Sequence, residues 1–469
     1  MLFLLWDTVS EKHARLFRKF RQTLRKQKNV SRKHLKLWEK DNSIMQEPTE
    51  TILRFFRRLI PERLFIIFQP YYHKILSGFA SMLYRRPSKN LIVIGVTGTN
   101  GKSTTVEFLS EILTEAGYRV ASTSSIRFRI HDREKTNTAK MTMPGRFTLQ
   151  KFLRSAVRAG CTHAVLEVTS QGIRQFRHAN IDFTIAVITN ITPEHIESHG
   201  SFEEYRKAKA ELFALAPIHV LNKDDKETYD HFLRIPADER HVYSVLDIPK
   251  KLHLKIPGEF NKENAMAALT AARVLGVDDK VSMRALSQIT YIPGRLEIIQ
   301  EEPFGVVVDY AHTPDALEKV YESFDVGTHK LICVLGSTGG GRDTWKRPEH
   351  GRIAAEHCNS IFLTDEDSYD EPLDHILKDV ERGFYKAPSL QTKKLHYEKI
   401  SDRKKAIEKA IMSAQKGDVV IITGKGSESV MMGPDGTRIP HDDREVVRTI
   451  LAQRKKNHGN GKGGLSHTA

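Results

Sequence analysis

From residue 91 onwards, short apolar runs of strand length alternate with stretches whose apolar residues recur at helical spacing. The runs are Leu91–Thr97, Ala164–Val168, Thr184–Thr189 and Ile218–Asn222, followed by Val306–Val308, Leu331–Leu335, Ile361–Leu363 and Val419–Ile422. β-Branched residues are frequent in them. This alternation predicts an α/β fold with mainly parallel sheets.

We divide the chain into four parts. Residues 1–90 are predicted to form a helical N-terminal segment, 91–296 a central α/β domain, and 297–452 a smaller, Rossmann-like C-terminal α/β domain. Residues 453–469, with Gly459, Gly461, Gly463 and Gly464, are predicted to form a disordered tail.

The N-terminal segment contains two helical patterns. Leu16, Phe20 and Leu24 share one helix face, and residues 64–84 carry a single formal charge, Lys74. The second stretch is long enough to span a bilayer, but the polar, helix-breaking centre at 69–74 argues against a span. One interpretation is a helical hairpin packed on the body; another is an interfacial anchor on anionic lipid. No known motif supports nucleic-acid binding, so no such partner is expected.

Composition and charge separate this segment from the rest of the chain. Hydrophobic residues are 39% and charged residues 28% of 469, which is globular and excludes a disordered or collagen-like protein. Residues 1–90 carry 20 Lys and Arg against 7 Asp and Glu, whereas residues 91–450 are nearly neutral. The three cysteines form no CxxC pair, so we expect no disulfide scaffold and a reducing, cytoplasmic compartment.

A glycine-rich loop joins the first strand to the helix after it. Gly98, Thr99, Asn100 and Gly101 precede Lys102, Ser103 and Thr104. This order predicts a nucleotide phosphate loop, in which backbone N–H groups and Lys102 bind phosphates and Ser103 ligates Mg²⁺. Val96 stands where the usual spacing has glycine.

Polar residues end two of the neighbouring runs. Glu167 and Asn190 follow apolar strands, and the carboxyl ends of parallel strands face the ligand crevice. Beside a phosphate loop, Glu167 is a candidate Mg²⁺ ligand.

Several motifs in order resemble those of the Mur ligases, the ATP-dependent amide-forming ligases of peptidoglycan precursor synthesis, and especially their tripeptide-forming branch. The resemblance covers about 91–450 and rests on residues 96–105, 167–170, 189–195 with 199–200, 205–213, 258–268, 293–297, 308–315, 339–348 and 424–428.

The resemblance implies an activity, its substrates and its cofactors. A carboxylate of a UDP-N-acetylmuramoyl-peptide attacks ATP and becomes an acyl phosphate, and the amine of an amino acid then displaces phosphate. ATP and Mg²⁺ are the expected cofactors.

The resemblance also implies roles for particular residues. Lys102, Glu167, His195 and Lys209 would be catalytic, with Ser103, Glu167, His195 and a carbamylated Lys209 as metal ligands. Asn264, Arg295 and Asp309 would join the phosphate loop in binding ATP. Thr142, Ser170 and Arg177 would hold the UDP-linked peptide, and Arg342 and Glu428 the incoming amino acid. For His312 a catalytic role and a structural one stay open.

The chain departs from the family pattern in four places. The basic 1–90 segment replaces the UDP-binding domain, Glu194-His195 replaces Asp-His, and Ser427 replaces a histidine. The acidic stretch 364–372 lacks the arginine that binds diaminopimelate. It suits a cationic side chain such as lysine, or is simply an acidic surface loop.

Two other functions stay open. One is a related ligase acting on another substrate, as folylpolyglutamate synthases and cyanophycin-type ligases do. The other is a membrane-associated nucleotide-binding protein that no longer ligates.

Overall fold

The computed structural model describes residues 62–139, 141–325, 329–388 and 395–460. The predicted helix around residues 16–24 and the end of the predicted tail lie outside these residues. The strands are β1 Ile92–Thr97, β2 Val120–Thr123, β3 Arg127–Ile130, β4 Arg133–Thr136, β5 His163–Glu167, β6 Phe183–Ile188, β7 Ile218–Asn222, β8 Glu239–Tyr243, β9 Glu297–Gln300, β10 Gly305–Val308, β11 Leu331–Leu335, β12 Ser360–Leu363, β13 His396–Lys399, β14 Val419–Ile422, β15 Val430–Met432 and β16 Arg438–Pro440.

The helices occupy most of the remaining chain. They are α1 Glu62–Leu83, α2 Lys102–Glu115, α3 Arg146–Arg158, α4 Ser170–Arg174, α5 Ile196–His199, α6 Phe202–Leu215, α7 Lys226–Leu233, α8 Glu259–Val274, α9 Asp279–Gln288, α10 Pro314–Glu322, α11 Lys346–His357, α12 Leu373–Phe384, α13 Arg403–Ser413 and α14 Asp443–Asn460. Within the described residues, none combines the length and hydropathy needed to cross a bilayer.

The chain forms two compact units. Of the described residues, the first contains those from 62 to 191, Glu203–His253 and Glu263–Leu286, and the second contains Thr192–Phe202, Leu254–Lys262 and those from 287 to 460. The α/β prediction is confirmed in both, and all eight strands predicted from apolar runs are present. The predicted domain boundaries stay a prediction.

The sheet of the first unit has the strand order β4-β3-β2-β5-β1-β6-β7-β8. The six neighbouring strands β2, β5, β1, β6, β7 and β8 pair in parallel. At the edge next to β2, strands β3 and β4 pair antiparallel. Every residue of β1, β5, β6 and β7 is buried, as expected of parallel strands with both faces covered. The loop after β1 therefore lies between the carboxyl ends of β5 and β6.

The second unit has a six-stranded sheet in the order β13-β12-β11-β14-β10-β9, with β9 antiparallel to β10 and the other pairs parallel. Two clusters of buried apolar residues form its core. One includes Leu317, Ile353 and Leu377 from the helices, and the other includes Ile407 and Val447.

Three expectations are corrected. The predicted hairpin within 64–84 is wrong, because α1 runs unbroken through Pro70; an internal proline removes one backbone hydrogen bond without having to end a helix. Helix α14 extends to Asn460 and so includes the first part of the predicted disordered tail. Cys333 and Cys358 form a disulfide, although their spacing suggested none, and both are fully buried.

Candidate functional site

The phosphate loop has a conformation that only glycine fits at two positions. Gly98 has a φ of 148° and Gly101 a φ of 80°. A Cβ at Gly98 would overlap the Thr189 hydroxyl, and a Cβ at Gly101 would overlap the amide oxygen of Asn264. The two glycines therefore give the loop its tight turn and let α8 approach it closely.

The end of β6 fastens the loop. The Asn100 backbone N–H donates to Asn190 Oδ1 at 2.9 Å, and Asn190 Nδ2 donates to the Asn100 carbonyl at 3.3 Å. Thr189 Oγ1 donates to the same carbonyl at 2.6 Å. The sequence singled out Asn190 as a polar strand end, and this reciprocal pair shows what it does.

Two lysines place positive charge on the loop. Lys102 Nζ donates to the Thr99 carbonyl at 2.6 Å, and Lys209 Nζ donates to the Gly98 carbonyl at 2.7 Å. Lys209 is buried on α6 and lies over the Tyr205 ring, whose hydroxyl is 3.0 Å from Thr99 Oγ1. The sequence did not identify Tyr205 as part of the site, although it lies one helical turn before Lys209.

Ser103 and Glu167 come together beside the loop. Ser103 Oγ donates to Glu167 Oε2 at 2.8 Å, and the Ser125 backbone N–H donates to the same oxygen at 2.9 Å. A hydroxyl and a carboxylate are hard oxygen donors of the kind that Mg²⁺ prefers, so this pair fits that ion. Thr104 lies in the same first turn of α2 and is buried.

Asn264 also reaches the loop. It is buried on α8, where its Oδ1 accepts from Thr105 Oγ1 at 3.5 Å and lies against Gly101. The structure thus brings together Gly98–Thr104, Glu167, Lys209 and Asn264 within the first unit.

A second neighbourhood in this unit contains Thr142, Ser170 and Arg177. The Arg177 guanidinium donates to the Met143 carbonyl and, at 2.6 Å, to Gln175 Oε1. Ser170 begins α4, which packs against Met143 through Gly172.

Helix α1 adds a histidine to this neighbourhood. His73 Nδ1 lies 2.8 Å from the Arg146 guanidinium, which also donates to the Gln175 carbonyl at 2.7 Å. Burial and the charges of Arg146 and Arg177 lower the pKa of His73 to about 4. His73 is therefore a neutral hydrogen-bond acceptor for Arg146, a role that the sequence alone did not suggest.

The second unit places Arg295 and Asp309 at the carboxyl end of β10. Asp309 accepts from the backbone N–H groups of Leu296 and Ala311, both at 2.6 Å, and the Arg295 guanidinium lies 4.3 Å from the Tyr310 ring centre. Burial raises the pKa of Asp309 against the opposing effect of Arg295.

His195 belongs to the second unit, where it lies between two carboxylates. It adopts a left-handed conformation with a φ of 56°, and its backbone N–H donates to Asp343 Oδ2 at 2.7 Å. Its ring nitrogens are 3.6 Å from Asp343 and 3.7 Å from Glu194. In this cluster the two carboxylates approach different ring nitrogens and so flank the imidazole. Asp343 had no role in the sequence analysis.

His312 joins that cluster. Its Nε2 is 3.1 Å from Glu194 Oε1, and its Nδ1 is 2.9 Å from the Tyr310 carbonyl. Burial opposes ionisation of Glu194, but the charges of His195, His312 and Lys346 outweigh it and hold the pKa of Glu194 well below its usual range. Both ring nitrogens of His312 thus have protein partners, as in a structural histidine.

Arg342 and Glu428 each lie beside a tyrosine, and Glu428 Oε1 accepts from the Tyr310 hydroxyl at 3.4 Å. The Arg342 guanidinium is 4.9 Å from the Tyr369 ring centre. Glu428 accepts from Lys425 Nζ at 2.7 Å, and the same ammonium donates to Asp367 at 2.8 Å. The sequence had assigned no role to Lys425, which is fully buried.

Contacts within the protein engage the acidic stretch 364–372. Glu366 accepts from Thr338 Oγ1 at 3.0 Å, Asp370 accepts from the Asp435 backbone N–H at 2.7 Å, and Glu371 pairs with Arg347 at 2.6 Å. Together with the Asp367–Lys425 pair, these contacts weaken the hypothesis that the stretch binds a cationic substrate side chain.

Two family descriptions match the chain. The Mur ligase middle domain matches residues 96–246, and the Mur ligase glutamate ligase domain matches residues 294–426. A UDP-N-acetylmuramoyl-L-alanyl-D-glutamate–2,6-diaminopimelate ligase of Caldanaerobacter subterraneus is 34% identical over 407 residues, which span 81% of this chain and 82% of that protein. The chain belongs to the Mur ligase family. The family expected from the motifs is thereby confirmed.

Solved structures agree with this assignment. This Mur ligase is 28% identical to a UDP-N-acetylmuramoyl-L-alanyl-D-glutamate–2,6-diaminopimelate ligase, with a TM-score of 0.53 and 83% of each chain covered. A Mycobacterium tuberculosis folylpolyglutamate synthase complexed with ADP and AMPPCP shares the fold at 18% identity, with a TM-score of 0.59 over 74% of this chain and 91% of that one.

Proposed function

We propose that this Mur ligase is an ATP-dependent acid–amino-acid ligase that adds an amino acid to a UDP-N-acetylmuramoyl-peptide in peptidoglycan precursor synthesis. The observation that carries the proposal is the Ser103–Glu167 contact beside a braced phosphate loop. It occurs in a chain that matches a diaminopimelate ligase over four fifths of its length.

The reaction has two steps. A carboxylate oxygen of the acceptor peptide attacks the γ-phosphorus of ATP, so ADP leaves and an acyl phosphate forms. The amine of the incoming amino acid then attacks the acyl carbon, loses a proton and expels inorganic phosphate. The loop N–H groups and Lys102 neutralise phosphate charge in the first step.

Ser103 and Glu167 would hold Mg²⁺, which supplies further charge neutralisation when bound. Lys209 would join them as a carbamate, because addition of CO₂ to its amine turns a cation into an anionic oxygen ligand. His195, with Glu194 and Asp343 beside it, is proposed as a ligand of a second ion.

The remaining residues are assigned to the three substrates. Asn264, Arg295 and Asp309 would bind the nucleoside of ATP. Thr142, Ser170 and Arg177 would hold the acceptor peptide, and Arg342 and Glu428 the incoming amino acid. We place the reaction in the cytoplasm, because it consumes ATP.

Phosphate release from ATP tests the proposal. Purified protein is supplied with UDP-N-acetylmuramoyl-dipeptide and, in turn, with lysine, diaminopimelate and other amino acids, and products are weighed by mass spectrometry. We expect release that requires both substrates and a mass gain of one amino acid minus water. ATP binding without turnover for any pair would contradict the proposal, and turnover with a folate or another acceptor would replace it with a related ligase.

A further inference from the structure

Helix α1 packs on the rest of the first unit with its small and polar side chains. His73, Ser77, Ala80 and Ser81 are buried and share one face of the helix. Ser77 Oγ donates to the Ala179 carbonyl at 2.8 Å, and Ser81 Oγ reaches the Asn180 carbonyl at 3.4 Å. With the His73–Arg146 contact, these bonds set the rotation of the helix about its own axis.

The opposite face of α1 exposes large apolar side chains. Ile75, Phe79, Met82 and Leu83 are 72%, 51%, 64% and 56% exposed. Their spacing of four, three and one residues places them in a single stripe. This orientation is the reverse of that of a helix packed on a globular core, and a contiguous exposed apolar surface of this kind marks an interaction site.

Arginines border the stripe. The rings of Phe79 and Phe147 are 6.2 Å apart, which joins the stripe to α3. Phe147, Arg154 and Arg158 lie on one face of α3 at spacings of seven and four residues. Burial, then the guanidinium groups of Arg158 and Arg85, lower the pKa of Arg154. Among the residues that the structure describes, no carboxylate forms an ion pair with these three arginines.

We propose that this α1–α3 surface binds the face of an anionic phospholipid membrane. It consists of the apolar residues Ile75, Phe79, Met82, Leu83 and Phe147 and of Arg85, Arg154 and Arg158. Apolar side chains enter the boundary between headgroups and acyl chains, while arginines pair with lipid phosphates. The binding is interfacial and reversible, with the helix lying along the membrane surface.

Charge complementarity selects this occupant over two others. Residues 1–61 of the same chain carry 15 Lys and Arg against 6 Asp and Glu, so they would bring positive charge to a positive surface. A second copy meeting the same patch about a two-fold axis would oppose the same three arginines to one another. An anionic lipid surface supplies both the apolar medium and the negative charge.

Vesicle sedimentation with the full chain tests the proposal. We expect binding to phosphatidylcholine vesicles containing about 30% phosphatidylglycerol and little binding to phosphatidylcholine alone, with weakening at high salt. Replacing Arg85, Arg154 and Arg158 together by Gln should lower the partition coefficient about 100-fold. The double change Ile75→Ser and Phe79→Ser should lower it about tenfold or more.

Matched control variants distinguish binding through this surface from a general effect of exposed charge or exposed apolar side chains. Leu246 is 86% exposed elsewhere in the first unit, and Lys250 and Lys251 are exposed nearby. Leu246→Ser and the pair Lys250→Gln and Lys251→Gln should leave vesicle binding within about twofold of the parent. Thermal unfolding of each variant checks that the fold is retained.

A fluorescent label reports contact directly. Cys161, Cys333 and Cys358 are all buried, so an added surface cysteine is labelled selectively. An environment-sensitive dye on Phe79→Cys should shift to the blue with anionic vesicles, and the same dye on Leu246→Cys should not.

Three results would overturn the proposal. The first is absence of binding to anionic vesicles. The second is vesicle binding that the arginine and apolar changes leave intact, which would assign it to residues 1–61. The third is a concentration-dependent dimer that these changes disrupt while vesicle binding persists, which would make the surface a contact between copies.

Discussion

The phosphate loop of the first unit and the charged interior of the second unit use buried or half-buried cations in opposite ways. Lys102 donates to the Thr99 carbonyl, and within the described part of the chain it forms no ion pair. In the second unit, Lys425 pairs with Asp367 and Glu428, Arg347 pairs with Glu371 and Asp379, and Arg403 pairs with Asp443.

The positive charge in the first region remains available to a ligand, whereas the positive charges in the second region are neutralised by carboxylates of the protein. A cation resting on neutral carbonyls keeps a net positive field, which an incoming phosphate can neutralise. A buried cation between carboxylates has no such surplus, and its removal leaves those carboxylates buried and unpaired. Changes in the first region should therefore affect activity before stability, and changes in the second should do the reverse.

The largest effect is expected at the phosphate loop. Lys102→Met should lower the rate of phosphate release about 1000-fold, because it removes the charge that stabilises the transferring phosphoryl group. The thermal unfolding midpoint should change by less than about 2 °C. Lys207→Met serves as the control, since Lys207 is exposed and pairs only with Glu204 among the described residues. A large loss of stability in Lys102→Met would break the comparison.

In the second unit the expected loss is one of stability. Lys425→Met should lower the free energy of unfolding by about 3 kcal/mol, because Asp367 and Glu428 lose their shared partner. Chemical denaturation measures it, and Lys416→Met, on an exposed turn, is the matched control. An unchanged denaturation midpoint would mean that the ion pairs of Lys425 with Asp367 and Glu428 do not stabilise the fold.

Substitution of Lys209 tests whether this lysine acts as an anionic carbamate. Lys209→Met should slow phosphate release about 100-fold, whereas Lys207→Met on the same helix should not. Added short carboxylates should restore part of the activity if a carbamate is the working group. Rescue by alkylamines instead of carboxylates would show that the cation itself is needed.

The buried Arg403–Asp443 pair predicts acid sensitivity of the second unit. Burial opposes ionisation of Asp443, but Arg403 and His441 outweigh it and hold the pKa of Asp443 well below its usual 3.8. A carboxyl with a depressed pKa contributes stability that is complete above pH 3.8 and is lost as the pH falls toward the folded-state pKa. Between pH 5 and about 2, Asp443→Asn should therefore show a shallower decline in unfolding free energy than the parent. Parallel declines would exclude this pair as the cause.

The smallest effect is expected from Glu366→Gln. Because Glu366 is buried and already accepts from Thr338, the ratio of kcat/KM for lysine to that for a neutral amino acid should change less than about threefold. A selective tenfold loss with lysine would restore the acidic stretch as a specificity element.

The sequence indicates that the residues of the phosphate-loop region lie close together, because the parts of this region are local. Gly98–Thr104 are contiguous, and Glu167 and Asn190 follow from the rule that parallel strands end at one edge. The grouping of Glu194 and His195 with Asp343 and His312 could not be predicted, since it joins loops more than a hundred residues apart and needs a left-handed residue at His195.

Helix α1 shows the opposite limit. Its length and its single formal charge are evident in the sequence, but Pro70 and the polar centre suggest a break, and nothing local decides which face is buried. Hydrogen bonds from Ser77 and Ser81 to the Ala179 and Asn180 carbonyls select the buried face. Likewise, the Cys333–Cys358 pair depends on β11 lying beside the end of α11, which sequence spacing does not reveal.

The close approach of α8 to the phosphate loop also predicts how this chain tolerates mutation. Gly101 and Gly117 both have positive φ values, 80° and 85°, but of the two only Gly101 faces another side chain. Asparagine, which adopts this conformation at modest cost, should be accepted at 117 and rejected at 101. In a library of variants, substitutions at position 101 should therefore survive only when position 264 changes as well. Positions 101 and 264 should vary as a pair.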